Sequence, residues 1–197
     1  MELDLMEERI NEAKEDPMWM QMFSGIRFWC LNPDINSILL PDIAHALAFQ
    51  CRFGGHTRKF YSVAQHCMLV SQLTREDDVE LKLAGLLHDA TEAYLVDLPR
   101  PIKYQMPIYK ETEDKLAIII GKRFNVDPAA FKYVKKYDEE ALSIEARSLM
   151  APMHPAWYTT SVQKMIDSPV HIEKYFGPEE AEAKYLELFN ELWMQRK

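Results

Sequence analysis

The run Leu86–Lys103, LLHDATEAYLVDLPRPIK, constrains this chain most. It sets His88 and Asp89 side by side inside an otherwise apolar helical pattern. Glu92 follows four residues after His88, about one helical turn on and near the same face. Asp97 then lies beside the break Leu98-Pro99-Arg100-Pro101. An apolar helix buries its hydrophobic face and excludes charge unless that charge is paired or holds a metal. The adjacent His and Asp therefore mark a helix cap, a local salt bridge or a metal site.

The rest of the chain reads as helices with short breaks. Leu3–Ala13 is an acidic helical stretch ended near Pro17, and Met18, Trp19, Met20, Met22 and Phe23 cover the core or a partner subunit. Gly25–Leu31 (GIRFWCL) reads as extended, and Asn32-Pro33-Asp34 as a turn. Pro41-Asp42 begins a helix carrying His45, and Phe53-Gly54-Gly55 stops it. Ser62 N-caps a helix over Val63–Leu73. His66, Leu69, Val70 and Leu73 share one face there, so His66 points inward, either as a hydrogen-bonded core residue or as a ligand. Asp77 or Asp78 caps a helix from Val79 to about Tyr94, which is apolar over most of its circumference and hence central. Pro107–Phe124 follows, with Ile108, Leu116, Ile119 and Ile120 as its buried set. Asp127-Pro128 starts a short helix. Asp138 opens the next element, whose stripe runs through Leu142, Glu145 or Ala146, and Leu149. Asp138 reads as an N-terminal cap or as a carboxylate directed into the core. Pro152, His154 and Pro155 interrupt the chain, and Trp157 and Tyr158 read as packing or rim residues. Glu179–Trp193 is a final amphipathic helix with Ala181, Tyr185, Leu186, Phe189 and Trp193, packed on the bundle or joining two subunits.

Length and charge narrow the function classes. The 197 residues suit one domain, 1–197, with one core. A net charge of −8 opposes a general grip on nucleic acid, which rests on phosphate neutralisation, but leaves room for a small anion in a local basic pocket. Cys30, Cys51 and Cys67 are odd in number and widely spaced, so they form neither a disulfide framework nor a zinc-thiolate motif, and a reducing cytoplasm suits them. No apolar run reaches membrane-spanning length, and the acidic first residues are unlike a secretion signal.

His66, the pair His88-Asp89, and Asp138 fall on three separate helical segments. Two imidazoles and two carboxylates can hold a divalent metal with positions left open, and this nitrogen–oxygen set suits Mn, Fe, Co or Zn. The order H…HD…D resembles that of the HD-domain metal-dependent phosphohydrolases. YSVAQH resembles the family's first-histidine helix, LLHDATEAYLVDLPRPIK the HD block of the branch that includes the bacterial 5′-deoxynucleotidases, and YDEEALSIEAR the final-aspartate helix. The likeness runs from about Asp42 to Met150. One departure is Gln65, where relatives commonly carry Glu.

The resemblance implies an all-α HD-domain helical bundle holding a divalent ion (Co, Mn, Zn, Fe or Mg) on His66, His88, Asp89 and Asp138. It implies that Arg52 and Phe53 contact the nucleotide through phosphate and a ring face, that Glu92 orients water or passes a proton, and that Asp97 lies near the sugar or leaving group. Lys103 is a further phosphate candidate. His56, Arg58 and Lys59 form a basic patch after the double glycine. It reads as a solvated turn or as a grip on additional phosphates, with His56 able to protonate a leaving oxygen. The expected reaction is hydrolysis of a deoxynucleoside triphosphate, dATP by likeness to phage HD enzymes, to deoxynucleoside and triphosphate. The alternatives are a 5′-deoxynucleotidase acting on monophosphates and a non-catalytic nucleotide-binding module. The expected partners are a small-molecule nucleotide and further copies of the chain, with neither stable nucleic-acid binding nor a membrane.

Overall fold

A computed structural model describes residues 18–74, 78–151 and 170–196. The expected helix at Leu3–Ala13, the Asp77 cap, and Pro152, His154, Pro155, Trp157 and Tyr158 lie outside these residues. Among these residues the architecture is a bundle of helices with one small sheet. Strands β1 (Met20–Gln21) and β2 (Arg27–Phe28) pair antiparallel, with Met20 opposite Phe28, so the GIRFWCL stretch is extended as its sequence suggests. Among the described residues the α-helices are α1 (Leu40–Phe49), α2 (Val63–Leu73), α3 (Val79–Leu87), α4 (Glu92–Leu95), α5 (Arg100–Lys103), α6 (Pro107–Arg123), α7 (Pro128–Leu149) and α8 (Pro178–Gln195). Among the described residues no helix is long and apolar enough to cross a membrane.

The centre of the bundle is α2 against α3, with α7 across both and α8 closing over α1, α2 and α3. Local chemistry fixes the helix starts. Ser62 Oγ accepts from Gln65 N at 3.1 Å, Asp78 Oδ1 from Leu81 N at 3.0 Å, and Asp127 Oδ1 from Ala129 N at 2.8 Å, each relieving an otherwise unbonded N–H of a first turn. Gly85 permits the close α2–α3 approach, since a Cβ there would stand 3.0 Å from Ser71 Cα. Ser71 Oγ then donates to Lys82 O at 2.8 Å across the seam.

Several expectations need correction. Phe53-Gly54-Gly55 does not end α1, which already stops at Phe49, and Asp127-Pro128 starts a long helix rather than a short one. The helix from Val79 does not run on to Tyr94. It ends at Leu87, and residues 88–91 form tight turns in which Ala90 N bonds Leu87 O and Glu92 N bonds Asp89 O. Asp138 does not open an element. It lies inside the 22-residue helix α7, so the N-cap reading is excluded and Asp127 takes that role. Ile108 is 77% exposed, because only the later turns of α6, through Leu116 and Ile120, meet the core. In the last turns of α8 the buried residue is Leu192, and Trp193 is 41% exposed while stacking on Phe189.

Candidate metal centre

The break after Leu87 is what aims His88 and Asp89. A helix end leaves carbonyls without N–H partners, and side chains take two of them here. Gly85 O accepts from His88 Nδ1 at 2.8 Å, and Leu86 O accepts from the Tyr185 hydroxyl of α8 at 2.8 Å. A carbonyl can only accept, so His88 carries its proton on Nδ1 and turns Nε2 to the interior. His66, fully buried on α2, is held in the same way: its Nδ1 lies 2.7 Å from Oε1 of Glu145, a carboxylate on α7 that is itself fully buried.

Both imidazoles therefore present Nε2 to one point, 3.2 Å apart. Asp89 Oδ2 is 3.2 Å from His88 Nε2 and 3.4 Å from His66 Nε2, and Asp138 Oδ1 is 3.3 Å from His66 Nε2. Ligand atoms bound about 2.1 Å from an ion sit about 3.0–3.4 Å from one another. The donor spacing thus fits a divalent cation. Two imidazole lone pairs aimed at each other also repel unless a positive charge lies between them. Without metal, protons take that place. Burial and Arg52 push His66 down, but Glu145, Asp138 and Asp89 outweigh them and raise it well above the ordinary range. Burial likewise opposes the charge on Asp138, yet His66 brings its carboxyl down to about 2.

Cys67, His88 and Asp89 make a second, overlapping group within ligand reach. Burial pushes the Cys67 thiol up to about 11, so it stays protonated and is a weak ligand. The nitrogen–oxygen set remains the better match.

Cations and one unusual carboxyl surround the cluster. Arg52 reaches Asp89 at 3.8 Å through Nη1 and Glu145 at 3.2 Å through Nη2, and its guanidinium lies over the Phe53 ring at 5.2 Å. Phe53 has φ 56°, Gly54 59° and Gly55 83°. This left-handed run needs glycines, and an aromatic residue at its head is strained. Glu92 is 4% exposed. Its Oε2 has no hydrogen-bond partner among the described residues, and its Oε1 lies 3.5 Å from Lys103 Nζ. Burial first, then Asp89 and Asp97, push its carboxyl up to about 8. Asp97 is tied in through its backbone: its N–H donates to Gln50 Oε1 at 3.1 Å, while Gln50 Nε2 donates to Glu92 O at 3.0 Å.

The structure thus brings together His66, His88, Asp89, Asp138, Arg52, Glu92 and Lys103. It links none of the basic patch to them. Arg58 donates its backbone N–H to Leu149 O, Lys59 lies over Tyr175, and neither they nor His56 makes an ion pair among the described residues. Two participants escaped the sequence reading. Glu145 was only an alternative to Ala146 in a stripe, although it stands two helical turns after Asp138 on the same face. Arg100 was only part of a proline break, yet its Nη2 lies 4.0 Å from Asp138 Oδ2. Gln65, where the family resemblance would place Glu, does not back up the ligands. Its amide clamps another segment, donating to Lys174 O at 2.6 Å and accepting from Phe176 N at 3.1 Å.

No family model matches the chain. The Escherichia coli protein YfdR is 40% identical over 131 residues, which cover 66% of this chain and 72% of YfdR. This chain belongs to the YfdR family. An uncharacterised protein of Rhodobacter capsulatus is 35% identical over 136 residues, covering 66% of this chain and 69% of that protein. YfdR is itself uncharacterised, so kinship passes on no activity. What the YfdR-family chain offers is a buried His/Asp cluster, with Cys67 beside it, able to coordinate a metal ion in an all-helical setting.

Proposed function

We propose that this protein is an HD-type metal-dependent phosphohydrolase that cleaves a deoxynucleoside triphosphate, dATP by resemblance, into deoxynucleoside and triphosphate. The observation that carries the reading is the convergence of two Nε2 atoms and two carboxylates at ligand spacing, beside a buried carboxyl with an unpartnered oxygen. In this reading His66, His88, Asp89 and Asp138 hold one divalent cation. That ion supplies Lewis acidity toward water and the phosphoryl group.

The chain's own groups do the rest. Arg52, already oriented on two carboxylates, offsets charge on nonbridging oxygens. Phe53 stacks on the base or sugar. Glu92, with a pKa about 8, takes the proton of the attacking water through Oε2. Water adds to the α-phosphorus, the bond from phosphorus to the 5′ oxygen breaks, and that oxygen leaves with a proton supplied from His56 or solvent. Asp97 contacts the sugar, and Lys103, Arg58 and Lys59 hold the outer phosphates.

A second reading, a 5′-deoxynucleotidase acting on monophosphates, draws support from the isolation of Arg58 and Lys59 from the cluster. Against a non-catalytic nucleotide-binding module stands the complete donor set. Incubating Co²⁺-loaded protein with each dNMP and dNTP, followed by ion-exchange separation, tests all three. Deoxynucleoside plus triphosphate is the expected result. Orthophosphate from monophosphates alone selects the second reading, and tight binding without turnover across several metals selects the third.

A further inference from the structure

We propose that Glu145 is the positioning residue that ties the metal-facing imidazole of His66 to the phosphate-facing guanidinium of Arg52. The inference rests on the functional reading only in taking Arg52 as the anion contact. Glu145 lies wholly out of solvent on α7, where an unpaired carboxylate would be strongly destabilising. Each of its oxygens has its own cation or donor: Oε1 meets His66 Nδ1 at 2.7 Å, and Oε2 meets Arg52 Nη2 at 3.2 Å. Burial opposes its charge, but His66 and Arg52 prevail and hold it below the ordinary Glu range.

The division of labour on α7 follows from helix geometry. Asp138 and Glu145 are seven residues apart, two turns along one face. Asp138 sends its carboxylate to the Nε2 side of His66, and Glu145 grips the Nδ1 side. A carboxylate behind a ligating imidazole fixes its tautomer and raises its basicity. Here that carboxylate has a second duty. Arg52 Nε has no hydrogen-bond partner among the described residues and Nη1 is 3.8 Å from Asp89, so the bond to Glu145 is its firmest anchor. The ligand geometry and the arginine geometry therefore share one carboxylate.

An amide cannot replace it. His66 Nδ1–H and Arg52 Nη2–H are both donors, and Gln offers one acceptor oxygen and one NH2 group. Glu145→Gln must leave one donor facing another. The test uses two probes that need no turnover: Co²⁺ titrated into chelator-treated protein, and inorganic phosphate titrated into Co²⁺-saturated protein, both by calorimetry. Glu145→Gln is expected to weaken Co²⁺ binding roughly 10–100-fold, and to weaken phosphate binding as well. In an Arg52→Gln background the same change should still weaken Co²⁺ but no longer alter phosphate affinity. Glu145→Asp, which keeps the charge and draws both oxygens back by one carbon, should lose less of each affinity, and serves if the amide variant does not fold. Variants that melt lower yet bind Co²⁺ and phosphate as the parent does would reduce Glu145 to a fold residue and overturn the proposal. A phosphate effect undiminished in the Arg52→Gln background would overturn the link to Arg52. If the parent binds Co²⁺ but hydrolyses no nucleotide, the functional reading fails and the Co²⁺ result for Glu145 stands by itself.

Discussion

Glu92→Gln should make the metal-free protein more stable at alkaline pH and, once the protein is loaded with metal, sharply lower turnover. Glu92 is buried, with one oxygen unpartnered and the other 3.5 Å from Lys103, whose closer partner is Glu113 at 2.6 Å. Burial, Asp89 and Asp97 raise its carboxyl from 4.5 to about 8, against the opposing pull of Lys103 and Arg52. A raised folded-state pKa means the fold favours the protonated form. Its contribution is fully present below the unfolded value and is lost as pH rises through about 8. At 1.36 kcal/mol per pH unit, the shift sets a ceiling of about 5 kcal/mol. Movement of Lys103 and entry of water lower the realised figure to about 2–4 kcal/mol. The amide resembles the protonated acid, so parent and variant should unfold alike at pH 5, and the variant should be the more stable by that amount at pH 9. Raised values at His66 and His88 act in the same direction but are common to both proteins and cancel in the difference. Urea unfolding of chelator-treated samples across pH 5–9 measures it. Turnover should fall by about 10²–10⁴-fold, since an amide cannot take a proton. A stability difference that does not change with pH, or a variant less stable at pH 9, would refute the electrostatic argument.

Three further changes probe the fold around the cluster. Val96→Gly should raise stability by about 1 kcal/mol, because Val96 sits at φ 68° and ψ 145°, a region that a β-branched residue occupies only under strain, and its side chain is 59% exposed; a lower melting temperature would count against this. Gln65→Glu should cost about 1–3 kcal/mol above pH 6, since a carboxylate would face Lys174 O where the amide now donates; thermal melts at pH 7 check it, and an unchanged midpoint would dismiss the clamp. Asp89→Ala should abolish Co²⁺ binding and turnover with the far-UV circular dichroism unchanged, and retained full turnover would sink the ligand assignment.

Much of the fold was legible from periodicity and caps. Ser62 and Asp78 announce α2 and α3 because a short oxygen-bearing side chain before an apolar stripe has few other uses. The inward aim of His66 follows from its spacing to Leu69, Val70 and Leu73, and all four are buried. What misled was continuity. The apolar pattern runs through His88 without a proline or glycine after it, so nothing local signals that α3 stops at Leu87. The stop depends on Tyr185 and His88 taking carbonyls that a longer helix would have bonded itself. The opposite error occurred in α7, where Lys135, Lys136, Asp138, Glu139 and Glu140 resemble a boundary but decorate one long helix whose buried stripe passes beneath them.

The candidate ligand residues are easier to single out in the sequence than the groups that orient them, for a physical reason. A ligand must be His, Asp, Glu or Cys, and its appearance on an apolar face is costly enough to be conspicuous. An orienting group needs only a suitable acceptor at the right place. For His88 that acceptor is the backbone carbonyl of Gly85, which leaves no trace in residue identity. For His66 it is Glu145, indistinguishable in sequence from the half-buried Glu139 and Glu140 until α7 is known to be unbroken and its face toward α2 is fixed. Arg100 falls between the two cases, since prolines on either side stiffen the backbone while only the tertiary approach of its side chain to Asp138 on α7 gives its head a carboxylate to meet. The geometry of this cluster therefore resides in tertiary contacts between α2, α3 and α7. Substitutions at Glu145 or Arg52 should alter its chemistry even with all four donor residues in place.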